Sequence, residues 1–462
     1  MDWVLNWVEL IGEKIWGLPL MLLLLGTGIF LTIRLMGLQF RYLGYALRLA
    51  FFHRDPVSEG DISHFQALMT ALAATIGIGN IVGVATAVSV GGLGAIFWMW
   101  VTALFGMATK YSEAILAVKY RQKDENGQMS GGPMYYIEKG ISSKRAAKFL
   151  AISFALFGTI ASFGIGNMVQ AHSVAEAVHK VTGFTTWSSG IVLTFLTAIV
   201  LLGGIKSISR VACFLVPFMA IAYSSFGIMI LLINFEKIPD AFGSIFYSAF
   251  NGQAAVGGFA GSTVLMAMRY GVARGIFSNE AGLGSAPIVA AAARTDMPGR
   301  QAMVSMTGTF LDTLIVCSIT GLVIAVTGVL GQTDSEGVLL DGARMTVSAF
   351  SVIPGGEYVV TCGIILFAYT TILGWAYYGE KCCQYLFGLE SIIAYRMIFI
   401  GLILPGSAMS LKLVWGIADI TNGLMAIPNL VALLAMSGVI SSETKSFLET
   451  LKNERQQQLN KK

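Results

Sequence analysis

Charge is what this sequence has least of. Lys and Arg number 30 and Asp and Glu 26 among 462 residues, 12% together, where a soluble domain carries about 25%. That excludes a soluble enzyme, a nucleic-acid binder and a disordered scaffold. Cysteine is also scarce: Cys213, Cys317, Cys362, Cys382 and Cys383 are odd in number, sit mostly inside apolar runs and show no CxxC spacing. Neither a disulfide framework nor a zinc site follows from such a set. There is no HExxH, no GxSxG within an apolar run and no phosphate-binding P-loop, so an intramembrane hydrolase and an ATP-driven pump are not indicated. The N-terminus carries Asp2, Glu9 and Glu13 against Lys14 alone, with no small-residue cleavage site after the first apolar run. The first hydrophobic segment is therefore expected to stay in the mature protein.

What is present is apolar length. Runs long enough to cross about 30 Å of hydrocarbon fall near 18–36, 64–90, 92–118, 149–178, 187–205, 211–233, 239–268, 301–329, 357–379, 392–411 and 413–437, an all-α polytopic membrane protein with about eleven transmembrane helices. With the N-terminus outside, 24 of the 30 Lys and Arg fall in loops and ends on the cytoplasmic side, 5 fall on the other side, and Lys110 lies within a span. Such a bias predicts an external N-terminus and a cytoplasmic C-terminus. The acidic external stretch from Gly331 to Gly356 contains an amphipathic piece, Ala343 to Phe350, and reads either as a lid or as a solvated connector.

Glycine, at 53 residues, mostly serves close helix packing in membranes. Two clusters exceed that. Thr75-Ile76-Gly77-Ile78-Gly79-Asn80-Ile81-Val82-Gly83 interrupts the second span, and Phe250-Asn251-Gly252-Gln253-Ala254-Ala255-Val256-Gly257-Gly258-Phe259 the seventh. Unwound backbone at membrane depth is tolerated only where it lines a cavity or is buried in protein. Setting aside the first helix, ten spans divide five and five, and the interrupted ones open each half in opposite directions. This is a ten-helix inverted-repeat core, with broken first and sixth core helices, plus one N-terminal helix. Residues 1–63 form the N-terminal part, 64–233 and 234–437 the two repeats and 438–462 a cytoplasmic tail. A substrate site is expected near the midplane between the breaks, where helix N-termini suit an anion and freed carbonyls a cation.

The third helix of each half should flank that pocket. It offers Phe163, Asn167 and Gln170 in the first half and Thr370, Thr371 and Trp375 in the second. Thr371 and Trp375 are four apart and share a face; Asn167 and Gln170 read equally as interhelical hydrogen-bond partners. Bulk from Phe163, Phe250, Phe259 and Trp375 opposite the backbone-lined breaks favours a small substrate. Thr75, Gly77, Gly79, Asn80 and Gly257 complete the predicted substrate set.

These residues carry a resemblance. Gly91-Gly92-Leu93-Gly94-Ala95-Ile96-Phe97-Trp98-Met99-Trp100, with Leu93 where Pro is usual, and the run from Arg269 to Pro287 through Ser278-Asn279-Glu280-Ala281-Gly282-Leu283-Gly284 resemble the alanine/glycine:cation symporters, also called sodium:alanine symporters. The likeness covers essentially the whole chain, and Gly252 replaces a Pro common in that family. It implies the leucine-transporter type of fold, a bacterial or archaeal cytoplasmic membrane, and Na⁺-driven import of alanine and glycine. By the same resemblance the carbonyls of Ala73 and Ile76 and the hydroxyls of Thr370 and Thr371 would hold Na⁺, and Asn80 matches a ligand of a second sodium site in a related family.

Ionisable residues within spans are functional candidates. Lys110 and Glu113 read as an ion pair on one helix face, while Asp312 and Asp419 read either as proton-coupling groups or as carboxylates capped by hydroxyls such as Thr309 or Thr421. A Na⁺-coupled symporter therefore leads, with a proton-coupled amino-acid transporter and a channel as alternatives.

Overall fold

A computed structural model describes residues 2–52, 58–254, 259–334, 336–409 and 411–460. Among them the sheet is limited to one antiparallel pair, Gln122–Lys123 with Met129–Ser130; everything that positions the site is helical. α1 (Asp2–Ile15) and α2 (Leu18–Arg34) make one apolar rod. It ends where Met36 and Gly37 both adopt positive φ, +53° and +63°, turning the chain into α3 (Leu38–Arg41) and α4 (Leu43–Phe52).

α5 (His64–Thr75) begins at a capping box in which the Ser63 hydroxyl accepts from Gln66 N–H and the Gln66 side chain from Ser63 N–H, satisfying two donors that a helix start leaves free. It stops at Ile76. The chain resumes as a π-helical turn, Gly79–Gly83, and α6 (Val84–Gly91), bent by 53° from α5. α7 (Gly94–Lys119) follows a turn that only glycines permit: Gly92 has φ +69°, and a Cβ on Gly94 would stand 2.6 Å from the backbone of Ser248 and Ala249. α8 (Pro133–Gly140) precedes α9 (Lys144–Phe163), which runs through a π-helical turn, Gly164–Met168, into α10 (Val169–Thr182). α11 (Thr186–Leu202) and α12 (Gly204–Ile233) close the first half.

The second half departs from expectation. The run 239–268 is not one broken span. α13 (Ile238–Asn251) ends at Gly252, φ +75°, and Gln253 pairs with Ser262 before α14 (Val264–Asn279) begins. α13 buries Ile245 and Ala249 but leaves Phe246 and Phe250 exposed, their rings set tilted and edge-on against Phe97. Gln253, read from sequence as part of a site, clasps the α6–α7 turn: its Oε1 accepts from Leu93 N–H at 2.7 Å. The interruption comes later, after α14, where Glu280, Gly282 and Gly284 take φ of +56°, +93° and +84° before the short α15 (Pro287–Ala290). α16 (Pro298–Thr309) continues through a π-helical stretch, Phe310–Cys317, into α17 (Ser318–Thr327). Then come α18 (Gly342–Phe350), α19 (Gly356–Phe387), α20 (Ser391–Ala408), α21 (Lys412–Ala435) and α22 (Ser437–Asn460).

Among the described residues, 7 helices are long and apolar enough to cross a membrane, or 8 with the bent α5–α6 pair. α7, with 26 residues, holds Lys110 and Glu113 and packs along α14 and α16. The segment before α5 is pinned to the chain after α15: Arg121 donates to the carbonyls of Ala291, Ala293 and Glu59 at 3.0, 2.6 and 2.9 Å, and Arg294 N–H donates to Ile62 at 2.7 Å. These bonds close one end of the molecule beneath both breaks. At the other end an open vestibule reaches down to Ile78, walled by Arg344 and Val347 of α18. α18 folds back onto the first break, with the Thr346 hydroxyl donating to Ile81 O at 3.0 Å.

Candidate functional site

Both interruptions open on one buried pocket. It is lined by Thr75, Gly77, Ile78 and Gly79 from the first break, Phe277, Glu280 and Leu283 from the second, Ile165 and Gln170 from the α9–α10 rod, Thr371 and Trp375 from α19, and Asn422 from α21.

Of the residues expected from sequence, Thr75, Gly77, Gly79, Gln170, Thr371 and Trp375 meet here. Asn80 is adjacent, but its side chain works on the break itself: Oδ1 accepts from Gly77 N–H at 2.9 Å and Nδ2 donates to Asp312 Oδ1 at 2.7 Å. The Gly77 amide is therefore not free for a ligand. The N–H groups of Ile78 and Gly79 donate to no protein acceptor among the described residues, leaving the start of the second half-helix as the open donor end.

Three expected residues lie elsewhere. Phe163 packs on Tyr395 and Phe399 of α20, at 5.2 and 6.1 Å between ring centroids. Asn167 is fully buried and donates to Phe399 O at 2.5 Å, a helix-to-helix bond. Phe250 is 57% exposed on α13. Gly257 lies outside the described residues, and Phe259, though buried, does not line the pocket. The π-helical turn between Phe163 and Gln170 explains the first two cases: an extra residue in that turn shifts the helical phase, so positions that a regular helix would align face different neighbours.

Ala73 and Ile76 are buried at the C-terminal end of α5. Thr371 joins α19 to them, its hydroxyl donating to Phe367 O at 2.9 Å and reaching Ala74 O at 3.5 Å. A Cβ on Gly77 would sit 2.6 Å from that hydroxyl oxygen. Thr370 is turned toward α12, donating to Phe367 O at 3.0 Å with Met219 Sδ at 3.7 Å. Trp375 packs closely on Gly166, where any Cβ would meet the Trp375 side chain at 2.3 Å.

Sequence reasoning missed Glu280. It caps α14 in the left-handed region, is 2% exposed, accepts from Ser285 Oγ at 2.6 Å and lies within reach of the Trp375 indole. Its signal was present as an acid between Asn279 and the glycines 282 and 284, with Pro287 following, which is a helix stop rather than a loop. The expected Lys110–Glu113 ion pair is also corrected. Glu113 Oε1 accepts from Gly282 N–H, Gly284 N–H and Asn429 Nδ2 at 3.1, 3.2 and 2.7 Å, so α7 and α21 together hold the second break in shape. Asp312 is capped, though not by the hydroxyls expected: Asn80, Ser278 and Thr313 donate to it at 2.7, 2.9 and 2.7 Å.

Comparison with known proteins adds sequence and fold relatives. A family profile described as "Sodium:alanine symporter family" matches residues 1–461. The chain is similar to "Sodium/alanine symporter AgcS" of Methanococcus maripaludis, 57% identical over 98% of this chain and 99% of that protein. It is also similar to "Amino-acid carrier protein AlsT" of Bacillus subtilis, 34% identical over 93% and 89% of the two chains. Among solved structures, "Crystal structure of MhsT in complex with L-phenylalanine" aligns with a TM-score of 0.56 over 84% of this chain and 93% of that one. At 16% identity this likeness concerns the fold alone.

Proposed function

The chain belongs to the sodium:alanine symporter family, and from that membership we propose that it imports a small neutral amino acid, alanine or glycine, together with Na⁺ by alternating access. It is a multi-pass membrane transporter and not an enzyme. The observation that carries the substrate reading is the convergence of unlike groups on one small pocket: the unpaired N–H end at Ile78 and Gly79 and the Glu280 carboxylate. A helix N-terminus attracts a carboxylate, and a buried carboxylate attracts an ammonium. Together they are complementary to the two ends of a zwitterion, and the space between leaves little for a side chain.

Na⁺ would be held by the carbonyls of Ala73 and Ile76 with the hydroxyls of Thr370 and Thr371. Four oxygens with no required formal charge suit a hard monovalent cation, and support comes from Thr371, whose hydroxyl bridges toward the end of α5. The halves 64–233 and 234–437 act as inverted repeats in this proposal, with the N-terminus outside and α22 in the cytoplasm.

Proteoliposomes loaded without Na⁺ test it. Labelled alanine should accumulate under an inward Na⁺ gradient and show counterflow with unlabelled alanine. Accumulation under a pH gradient in the absence of Na⁺ would replace Na⁺ by H⁺ as the coupling ion, and flux without counterflow would point to a channel.

A further inference from the structure

On the face where α2 ends, an open groove runs between the reversal at Arg34–Tyr42 and α22. Leu35, Leu38 and Leu451 give it an apolar floor, each under a tenth exposed. Arg34, Arg41, Lys445 and Lys452 line it against a single acid, Glu449. Arg34 is partly engaged, its Nε donating to Ser437 O at 3.2 Å. Among the described residues Arg41, Lys445 and Lys452 form no ion pair.

The rim of this groove is as informative as its lining. Ile33, Met36 and Phe40 are 72%, 71% and 54% exposed, at or just past the end of a helix long and apolar enough to span a bilayer. Side chains of that kind mark the boundary between acyl chains and headgroups. A cationic groove with an apolar floor at that depth matches a phospholipid in both of its parts. We propose that it holds an anionic membrane phospholipid, its phosphate among Arg41, Lys445 and Lys452 and its acyl chains running out over Met36 and Phe40. A zwitterionic lipid brings no net charge to offset the cations, and a soluble phosphate leaves the floor and rim uncovered. The occupant would also tie α2 to α22, which reaches the helical core through the ion pairs Lys119–Glu443 at 2.5 Å and Arg300–Glu454 at 2.8 Å.

Native mass spectrometry of the full-length protein in detergent tests the site, with dioleoylphosphatidylglycerol, dioleoylphosphatidylcholine and sn-glycerol 3-phosphate as separate titrants. Phosphatidylglycerol should bind tightest. Each cation near an anionic lipid is worth about a five-fold change in affinity, so the variant R41Q/K445Q/K452Q should lose about 100-fold. K144Q/R145Q, which removes two exposed cations elsewhere, should bind as the wild type does. Lys452 is exposed, so K452Q alone gives a folded readout with an expected loss of about five-fold. Undiminished phosphatidylglycerol binding in K452Q and in the triple variant overturns the assignment, as does equal binding of phosphatidylcholine. Displacement of the lipid by glycerol phosphate at equal concentration would transfer the site to a soluble anion and overturn it as well.

Discussion

Replacing Glu280 by Gln removes one charge and little else. The amide keeps the side chain's size, and its carbonyl can still accept from Ser285 Oγ, now 2.6 Å from Oε2. What is lost is the attraction between a buried carboxylate and the substrate's ammonium. A hydrogen bond to a charged partner is worth about 1.5–3 kcal/mol, and ten-fold in affinity is about 1.4 kcal/mol. Alanine binding at saturating Na⁺ should therefore weaken about 10- to 150-fold. Competition of labelled alanine by alanine and by lactate, which carries a hydroxyl in place of the ammonium, separates recognition from damage. A merely distorted pocket weakens both ligands alike, whereas loss of the ammonium partner shrinks the alanine-to-lactate ratio by the same factor. An unchanged ratio in a well-folded E280Q protein would refute the role given to Glu280.

Other substitutions probe the remaining elements of the pocket. Thr371→Val keeps volume but deletes the hydroxyl that reaches Ala74 O; apparent Na⁺ affinity measured by uptake should fall more than alanine affinity at saturating Na⁺. Gly77→Ala should abolish alanine binding in a folded protein, because its Cβ would stand 2.6 Å from Thr371 Oγ1, while Gly79→Ala should be milder, its Cβ meeting Phe277 at an ordinary 3.4 Å; equal effects in a binding assay would contradict that order. Trp375→Ala should admit valine or leucine while weakening alanine, at a stability cost of about 3–5 kcal/mol; an unchanged ranking in a glycine-to-leucine competition series removes Trp375 from size selection.

The first break was legible and the second was misplaced, for reasons that lie in particular residues. Gly77, Gly79 and Asn80 stand inside a run with no charge nearby, so an interruption there is visible against an apolar background. The second break sits eleven residues after Arg269 and six after Arg274, and those charges made the segment read as a cytoplasmic loop. In the folded chain both belong to α14, where Arg269 lies 3.8 Å from Glu13 and Arg274 stands over the Phe277 ring at 5.6 Å. Partners of this kind within the protein make such charges tolerable in a helix. The glycines of 252–258 drew the reading instead, although Gly252 is a turn glycine clasped to Ser262. Periodicity failed on the α9–α10 rod for a further reason: no residue type announces a π-helical turn, and one extra residue there separates Phe163 from Gln170.

The three buried carboxylates are not equivalent, and their partners say why a cation-coupled carrier would be built this way. Glu113, through Oε1, and Asp312, through both oxygens, accept from backbone and side-chain donors that fix the two breaks, so these two acids serve geometry. Glu280 alone of the three lines the pocket, with the Ser285 hydroxyl bonded to it and the Trp375 indole within reach. An empty pocket then leaves a carboxylate short of compensation in a low-dielectric setting, which is costly. An amino acid supplies its ammonium but brings a second negative group, so the zwitterion alone does not restore the balance. Na⁺ held near Thr371, as proposed, would add the missing positive charge without occupying the substrate's space. On this account ion and substrate bind better together than either does singly, and Thr371, whose hydroxyl stands between α19 and the end of α5, is where that mutual dependence should be lost first.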